Sequence, residues 1–363
     1  MSSIPTYFSD FLSNIRLQDN LQKELQNAHT ELRDRLKADN LTADLLVDSF
    51  LQGSYARATC IKPANGDKVD VDVIAVTNIN HNNTAPNEAF DQVMPFVEKY
   101  YDEYQQQKRS IGIFLPQVDV DLVITAAPSE EVIQELRSAN LPNAFTIDDI
   151  SVLRESFYHK DSLYEFFRSD SAEKKWRSEP LLIPDIEDNQ WHKTHPLEQI
   201  RWTRDKNQQC NGHYVNVVKA IKWWKRVNLP NSKHPKSYPL EHFVGYCCPD
   251  NISSVAEGIT YVFERIDRHF PSKPFLPDHG VPEHDVFESL TEEEYRVFYH
   301  QVHKFAPIAR AALDSNDIGS SVKLWRSFFG DCDEFPEYHG PSSSSGFTPR
   351  TQKTESIPTG RFG

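Results

Sequence analysis

The sequence predicts a chain of mixed strands and helices, α/β or α+β, long enough for two domains, and three observations carry that reading. In "LQDNLQKELQNAHTELRDRLK", residues 17–37, Leu17, Leu21, Leu25, Ala28, Leu32 and Leu36 recur at spacings of three and four, the stripe of a long amphipathic helix. Two runs, "VDVDVIAV" from Val69 and "QVDVDLVI" from Gln117, alternate acidic and apolar side chains as strands do. From 196 to about 330 helical spacing dominates, most clearly in "YVNVVKAIKWWKR", where Tyr214, Val217, Val218, Ile221 and Trp224 line one face.

The 363 residues, 38% of them hydrophobic, are enough for two buried cores. Residues 45–125 place strands around a helical stretch, "NEAFDQVMPFVEKYYDEYQQQ", and by themselves fit α/β or α+β. Residues 126–195 are polar and carry no assignable periodicity. The expected division is a first lobe at 1–195 with the N-terminal spine helix, a helical lobe at 196–335, and a tail at 336–363. In that tail "PSSSSGFTPRTQKTESIPTGRFG" has too little apolar content to build a core, so disorder is expected.

A net charge of −14 disfavours a surface devoted to nucleic-acid backbone, and any phosphate ligand needs a local basic pocket. With no run of 18 apolar residues and no signal-peptide pattern, a cytoplasmic protein without a membrane partner is expected. The five cysteines form no C-x-x-C pair, and reduced thiols are the default. His242, Cys247 and Cys248 in "HFVGYCC" lack a fourth zinc ligand at useful spacing and read as packing residues.

The chemistry concentrates around "LQGSYARATCIKPANGDKVDVDVIAV". Alternation puts Asp70 and Asp72 on one face of their strand, with Val69, Val71 and Val73 on the other. An isolated D-x-D is most often the wet side of an edge strand. Here a second strand repeats it with Asp119 and Asp121, and several carboxylates brought to one point repel unless divalent cations neutralise them. Upstream, Gly53 and Ser54 form a turn whose backbone N–H groups and hydroxyl can approach an anion unobstructed. A phosphate-binding turn beside a carboxylate-held pair of Mg²⁺ ions suits in-line phosphoryl transfer with pyrophosphate departing.

In this arrangement the sequence resembles nucleotidyltransferases of polymerase β type. More closely, "LQGSYARATCIKP", "VDVDLVITAAP", "VVKAIKWWKR", "KSYPLEHF", "LWRSFFG" and the final "GRFG" resemble the bacterial CD-NTases. These relatives of cyclic GMP-AMP synthase and oligoadenylate synthase make cyclic oligonucleotide signals in CBASS antiphage defence. The resemblance implies a polymerase-β-like core with a mixed sheet and an oligoadenylate-synthase-like helical lobe. It implies that Gly53 and Ser54 contact the donor triphosphate and that Asp70, Asp72 and Asp121 ligate two Mg²⁺ ions. Asp121 is preferred to Asp119 because "DLV" resembles the family's D-L-V-P-A ending, although Ile124 and Thr125 interrupt it.

Lys222 matches a phosphate-contacting lysine, with Lys219 one turn earlier; without the resemblance both would read equally as a solvated helix face. Ser237 matches a phosphate-binding serine and Tyr238 a base-stacking aromatic, the bland alternative for Tyr238 being a core tyrosine. The implied function is a synthase that joins NTPs, ATP among them, into a cyclic di- or trinucleotide for a downstream effector, and the acidic balance of the chain argues against an obligatory duplex activator. Asp121 would help activate the attacking ribose hydroxyl. The alternatives are a nucleotidyltransferase that modifies a protein, RNA or small-molecule acceptor, and a non-catalytic nucleotide binder. The resemblance also makes Gly363 an expected conjugation point for a ubiquitin-ligase-like partner enzyme.

Overall fold

The computed structural model describes residues 4–64, 66–139 and 175–340. Strands β1 (Leu46–Gln52), β2 (Val69–Thr77), β3 (Tyr104–Gln106), β4 (Ile111–Phe114) and β5 (Val118–Ala126) join in the order β1-β2-β5-β4-β3. A hairpin of β6 (Leu181–Asp185) and β7 (Gln190–Thr194) attaches to β5. Only β2 and β5 run parallel along that path, and the other pairings are antiparallel, so the sheet is mixed. The hairpin lies in the polar stretch that periodicity left unassigned; β7 has no buried residue to give it an alternating pattern.

Alternation sorts the two faces of the sheet. Val69, Val71, Val73 and Ala75 pack on one side against α2 (Asp19–Ala38), through Leu25, Leu32 and Leu36, and α4 (Pro86–Tyr100), through Phe90, Val93 and Phe96. On the other side Ile74 and Val76 meet Val132 and Leu136 of α5 (Glu130–Ala139) and Trp176 of α6 (Lys175–Ser178). Asp70 and Asp72 belong to this second face. The face changes from carboxylate to apolar within two residues because α5 covers only its far end.

The spine helix begins at Asp19, leaving Leu17 buried just before it. The expected helix through "YYDEYQQQ" stops instead at Tyr100. Beyond it the backbone extends, and Tyr104–Gln106 pairs as an edge strand with β4, so sheet hydrogen bonds replace helical ones.

After β7 the described chain is helical: α7 (Pro196–Gln209), α8 (Tyr214–Asn228), α9 (Ser237–Cys247), α10 (Val255–His269), α11 (Glu292–Asp314) and α12 (Ile318–Phe328). The expected apolar face of α8 is buried, with Trp224 edge-on to Phe263 at 4.7 Å. Helix α1 (Pro5–Ile15) joins this second core although sequence order puts it in the first lobe: Phe8 meets Trp325 at 5.0 Å and Phe11 meets Phe329 at 4.2 Å. Short α3 (Gly53–Ala56) links β1 to the segment leading into β2. Among the described residues no helix is long and apolar enough to cross a membrane. Of the expected tail only 336–340 are described, and Gly363 lies outside the described residues.

Candidate active site

The parallel register of β2 and β5 sets Asp70 beside Asp119 and Asp72 beside Asp121. Carboxylate oxygens of Asp70, Asp72 and Asp121 all lie within 4.8 Å of one another. Asp119 stands outside this group, held 3.3 Å from the Lys68 ammonium. Burial, then the charges of Asp70 and Asp121, push the Asp72 carboxyl up to about 7, with Arg57 opposing. Burial, Asp70 and Asp119 likewise push Asp121 up to about 6. These are three oxygen donors with too little positive charge nearby, a set suited to a hard divalent cation.

Two glycines lie beside them, and one leaves the room that a carboxylate occupies. Gln52, the last residue of β1, pairs with Asp72, so Gly53 begins its turn directly against that carboxylate at φ +76°. Gly112 of β4 faces Asp121, and a β-carbon there would lie 3.5 Å from Asp121 Oδ1 and 2.6 Å from Gln107 Nε2. Gly112 drew no notice in the sequence because a lone glycine in a short strand has no distinguishing pattern.

Beside the carboxylates opens a cavity of about 380 Å³ whose lining includes Ser54, Asp70, Lys222, Lys225, Arg226 and Ser237. The Ser54 hydroxyl and Cys60 thiol are 2.9 Å apart, and burial pushes that thiol up to about 11. Ser237 opens α9. The structure thus brings Ser54, Asp70, Lys222 and Ser237 to one cavity. Lys219 is not on a solvated face: it is 5% exposed, and burial, reinforced by Arg16, lowers its amine to about 7.

Sequence reading passed over Arg57 and Glu241, which tie the lobes together. Arg57 Nε donates to Glu241 Oε2 at 3.0 Å, and Lys222 Nζ donates to Glu241 Oε1 and the Thr59 carbonyl, both at 3.1 Å. Burial alone would raise the Glu241 carboxyl; Lys222 and Arg57 outweigh it and hold it below its ordinary value. Both residues sit inside quoted motifs, "GSYARAT" and "KSYPLEHF", but only folding shows that they pair. Tyr238 lies next to this network, with the Arg57 guanidinium 5.0 Å from its ring centroid and its hydroxyl donating to Asp278 Oδ2 at 2.6 Å.

A second group, Asp185, Asp188 and His192, also converges. Its charge is already met: Arg109 and Lys108 approach Asp185 to 2.7 and 3.3 Å, and His192 lies 2.6 Å from Asp188. Neither group includes His242, Cys247 or Cys248.

Carboxylates gathered on parallel strands beneath a glycine turn, facing a lysine-lined cavity, define the chain as a nucleotidyltransferase. Residues 1–132 match the Second Messenger Oligonucleotide or Dinucleotide Synthetase domain. The chain is 42% identical to a probable cyclic AMP-AMP-GMP nucleotide synthase of Salmonella paratyphi B, covering 98% of each chain. It is 38% identical to a cyclic AMP-AMP-GMP synthase of Enterobacter hormaechei subsp. hoffmannii, again over 98% of each. In fold it is similar to the Bradyrhizobium diazoefficiens CD-NTase CdnG in complex with GTP, with a TM-score of 0.63 at 12% identity over 90% of this chain and 96% of that one. The chain belongs to the bacterial CD-NTases of CBASS antiphage defence and is a cyclic oligonucleotide synthase that uses NTPs.

Proposed function

We propose that this synthase closes two adenylates and one guanylate into a cyclic trinucleotide, with Asp70, Asp72 and Asp121 holding two Mg²⁺ ions. The product assignment is supported by identities of 42% and 38% along nearly the whole chain to relatives named for cyclic AMP-AMP-GMP. The observation that carries the chemistry is the convergence of the carboxylates against Gly53. Bound there, the ions supply Lewis-acid polarisation and neutralise developing phosphate charge.

The chain's own groups do the rest. Gly53 and Ser54 receive the donor triphosphate, and Lys222 and Ser237, which line the same cavity as Ser54, bind it, with Lys219 one helical turn from Lys222. Tyr238 stacks on a base. Asp121, beside the attacking group, accepts the proton of the ribose hydroxyl. A product of this kind acts on a cyclic-nucleotide-responsive effector. The acidic balance of the chain supports activation without obligatory duplex nucleic acid. Gly363, on the sequence evidence of "GRFG", is proposed as the point where a ubiquitin-ligase-like enzyme conjugates the chain.

The test is incubation with all four NTPs and Mg²⁺, phosphatase digestion and mass spectrometry. A phosphatase-resistant cyclic trinucleotide containing two adenines and one guanine is expected. Label transferred from ATP to a protein, RNA or small-molecule acceptor, with no cyclic product, would establish the acceptor-modifying alternative.

A further inference from the structure

We propose that Asp278 is a positioning residue for nucleotide binding: it anchors Tyr238 and, through that ring, the Arg57–Glu241–Lys222 chain at the cavity. The inference rests on reading Tyr238 as a nucleobase platform. Asp278 sits in the irregular segment between α10 and α11 and is 8% exposed. Its Oδ2 accepts from the Tyr238 hydroxyl at 2.6 Å and Gln199 Nε2 at 3.1 Å. Oδ1 accepts from the backbone N–H groups of Gly280 at 2.9 Å and Val281 at 3.3 Å.

The segment is itself firmly seated. The Asp278 N–H donates to the His284 carbonyl at 3.0 Å, and Gly280 fits so tightly against the N-cap of α7 that a β-carbon there would fall 2.2 Å from His195 Cβ. Asp278 is therefore a fixed acceptor, buried, and among the described residues its hydrogen-bond donors are neutral. Its hold on the hydroxyl at one end of Tyr238 sets the plane of the ring over which Arg57 lies. Arg57 in turn meets Glu241, and Glu241 orients the Lys222 ammonium that lines the cavity. Without Asp278 the Tyr238 hydroxyl has no acceptor there, and the ring gains freedom to leave the guanidinium.

The experiment measures steady-state synthesis from ATP and GTP by wild type, Asp278→Ala, Tyr238→Phe and the double variant, each shown folded by circular dichroism. Asp278→Ala should raise KM for the NTPs about tenfold, the loss of one charge-assisted hydrogen bond, with kcat within about twofold. Tyr238→Phe, which removes only the hydroxyl, should raise KM to a similar extent, and the double variant should be no worse than the larger single effect. The inference is overturned if KM in Tyr238→Phe stays within about twofold of wild type, or if the two effects multiply. Should Asp278→Ala not fold, Tyr238→Phe alone decides by the same criterion. Absence of a cyclic product from wild type would instead overturn the nucleotide-site reading itself.

Discussion

Gly53 and Asp72 are so close that a β-carbon built on Gly53 would fall 1.7 Å from Asp72 Oδ2. Two independent constraints meet at this glycine, since its φ of +76° also lies in the region that L side chains avoid. Gly53→Ala must push the carboxylate aside or unwind the turn. We expect synthesis to fall by about 10²-fold or more, as displacement of a reacting group by an ångström does, with about 1–3 kcal/mol lost in stability. Near-normal turnover with a wild-type urea midpoint would contradict this.

Asp70→Asn with Asp72→Asn should abolish synthesis while leaving the fold intact. In metal-free buffer the double variant should be the more stable protein, and its advantage should depend on pH. The folded Asp72 carboxyl is raised to about 7 and Asp121 to about 6, above the 3.8 of an ordinary aspartate. Between these values the folded wild type holds protons that the unfolded chain has released, so wild-type stability falls as pH rises from about 4 to 7. The variant's advantage should grow over that window to about 2 kcal/mol and shrink when Mg²⁺ is added to wild type. Urea titrations at several pH values measure it; a flat difference would remove the case for carboxylate repulsion.

Glu241 is ion-paired with two cations and Arg57 with one carboxylate, and the two truncations should differ accordingly. Glu241→Ala strands Arg57 and Lys222 together, whereas Arg57→Ala leaves Glu241 paired with Lys222 at 3.1 Å. Breaking a buried pair so that charge is left uncompensated costs about 3–5 kcal/mol. Glu241→Ala should reach that range and Arg57→Ala should fall short of it. The reverse order in chemical denaturation would mean that the network does not bear charge in this way.

The two lysines of α8 should separate stability from turnover. Lys222→Ala should weaken NTP binding through the cavity wall. Lys219→Met should raise stability at pH 7 by about 1–3 kcal/mol because it removes a buried amine. The folded amine titrates at about 7, against 10.5 for an ordinary lysine, so the unfolded chain binds the extra proton across that interval. Wild-type stability therefore rises with pH there, and the benefit of Lys219→Met should shrink towards pH 10. If Lys219 contacts phosphate, KM rises in the same variant; an unchanged KM would assign Lys219 to packing alone.

The strands bearing Asp70, Asp72, Asp119 and Asp121, the spine helix and the apolar face of α8 are local patterns, visible because alternation and helical spacing record which side of an element is buried. The glycine turn was legible for the same reason, as its conformational need is written in one residue. The tertiary structure decided what local pattern does not encode: which of two equivalent aspartates joins the cluster. Asp119 and Asp121 share a face, but Lys68 stands beside the first, while the second comes within 4.8 Å of Asp70 and Asp72. The pairing of Arg57 with Glu241 spans 184 positions, and the anchoring of Tyr238 by Asp278 depends on a loop with no periodicity. These contacts form only when separate segments are packed together, and neither member of such a pair carries a mark of its partner in the chain.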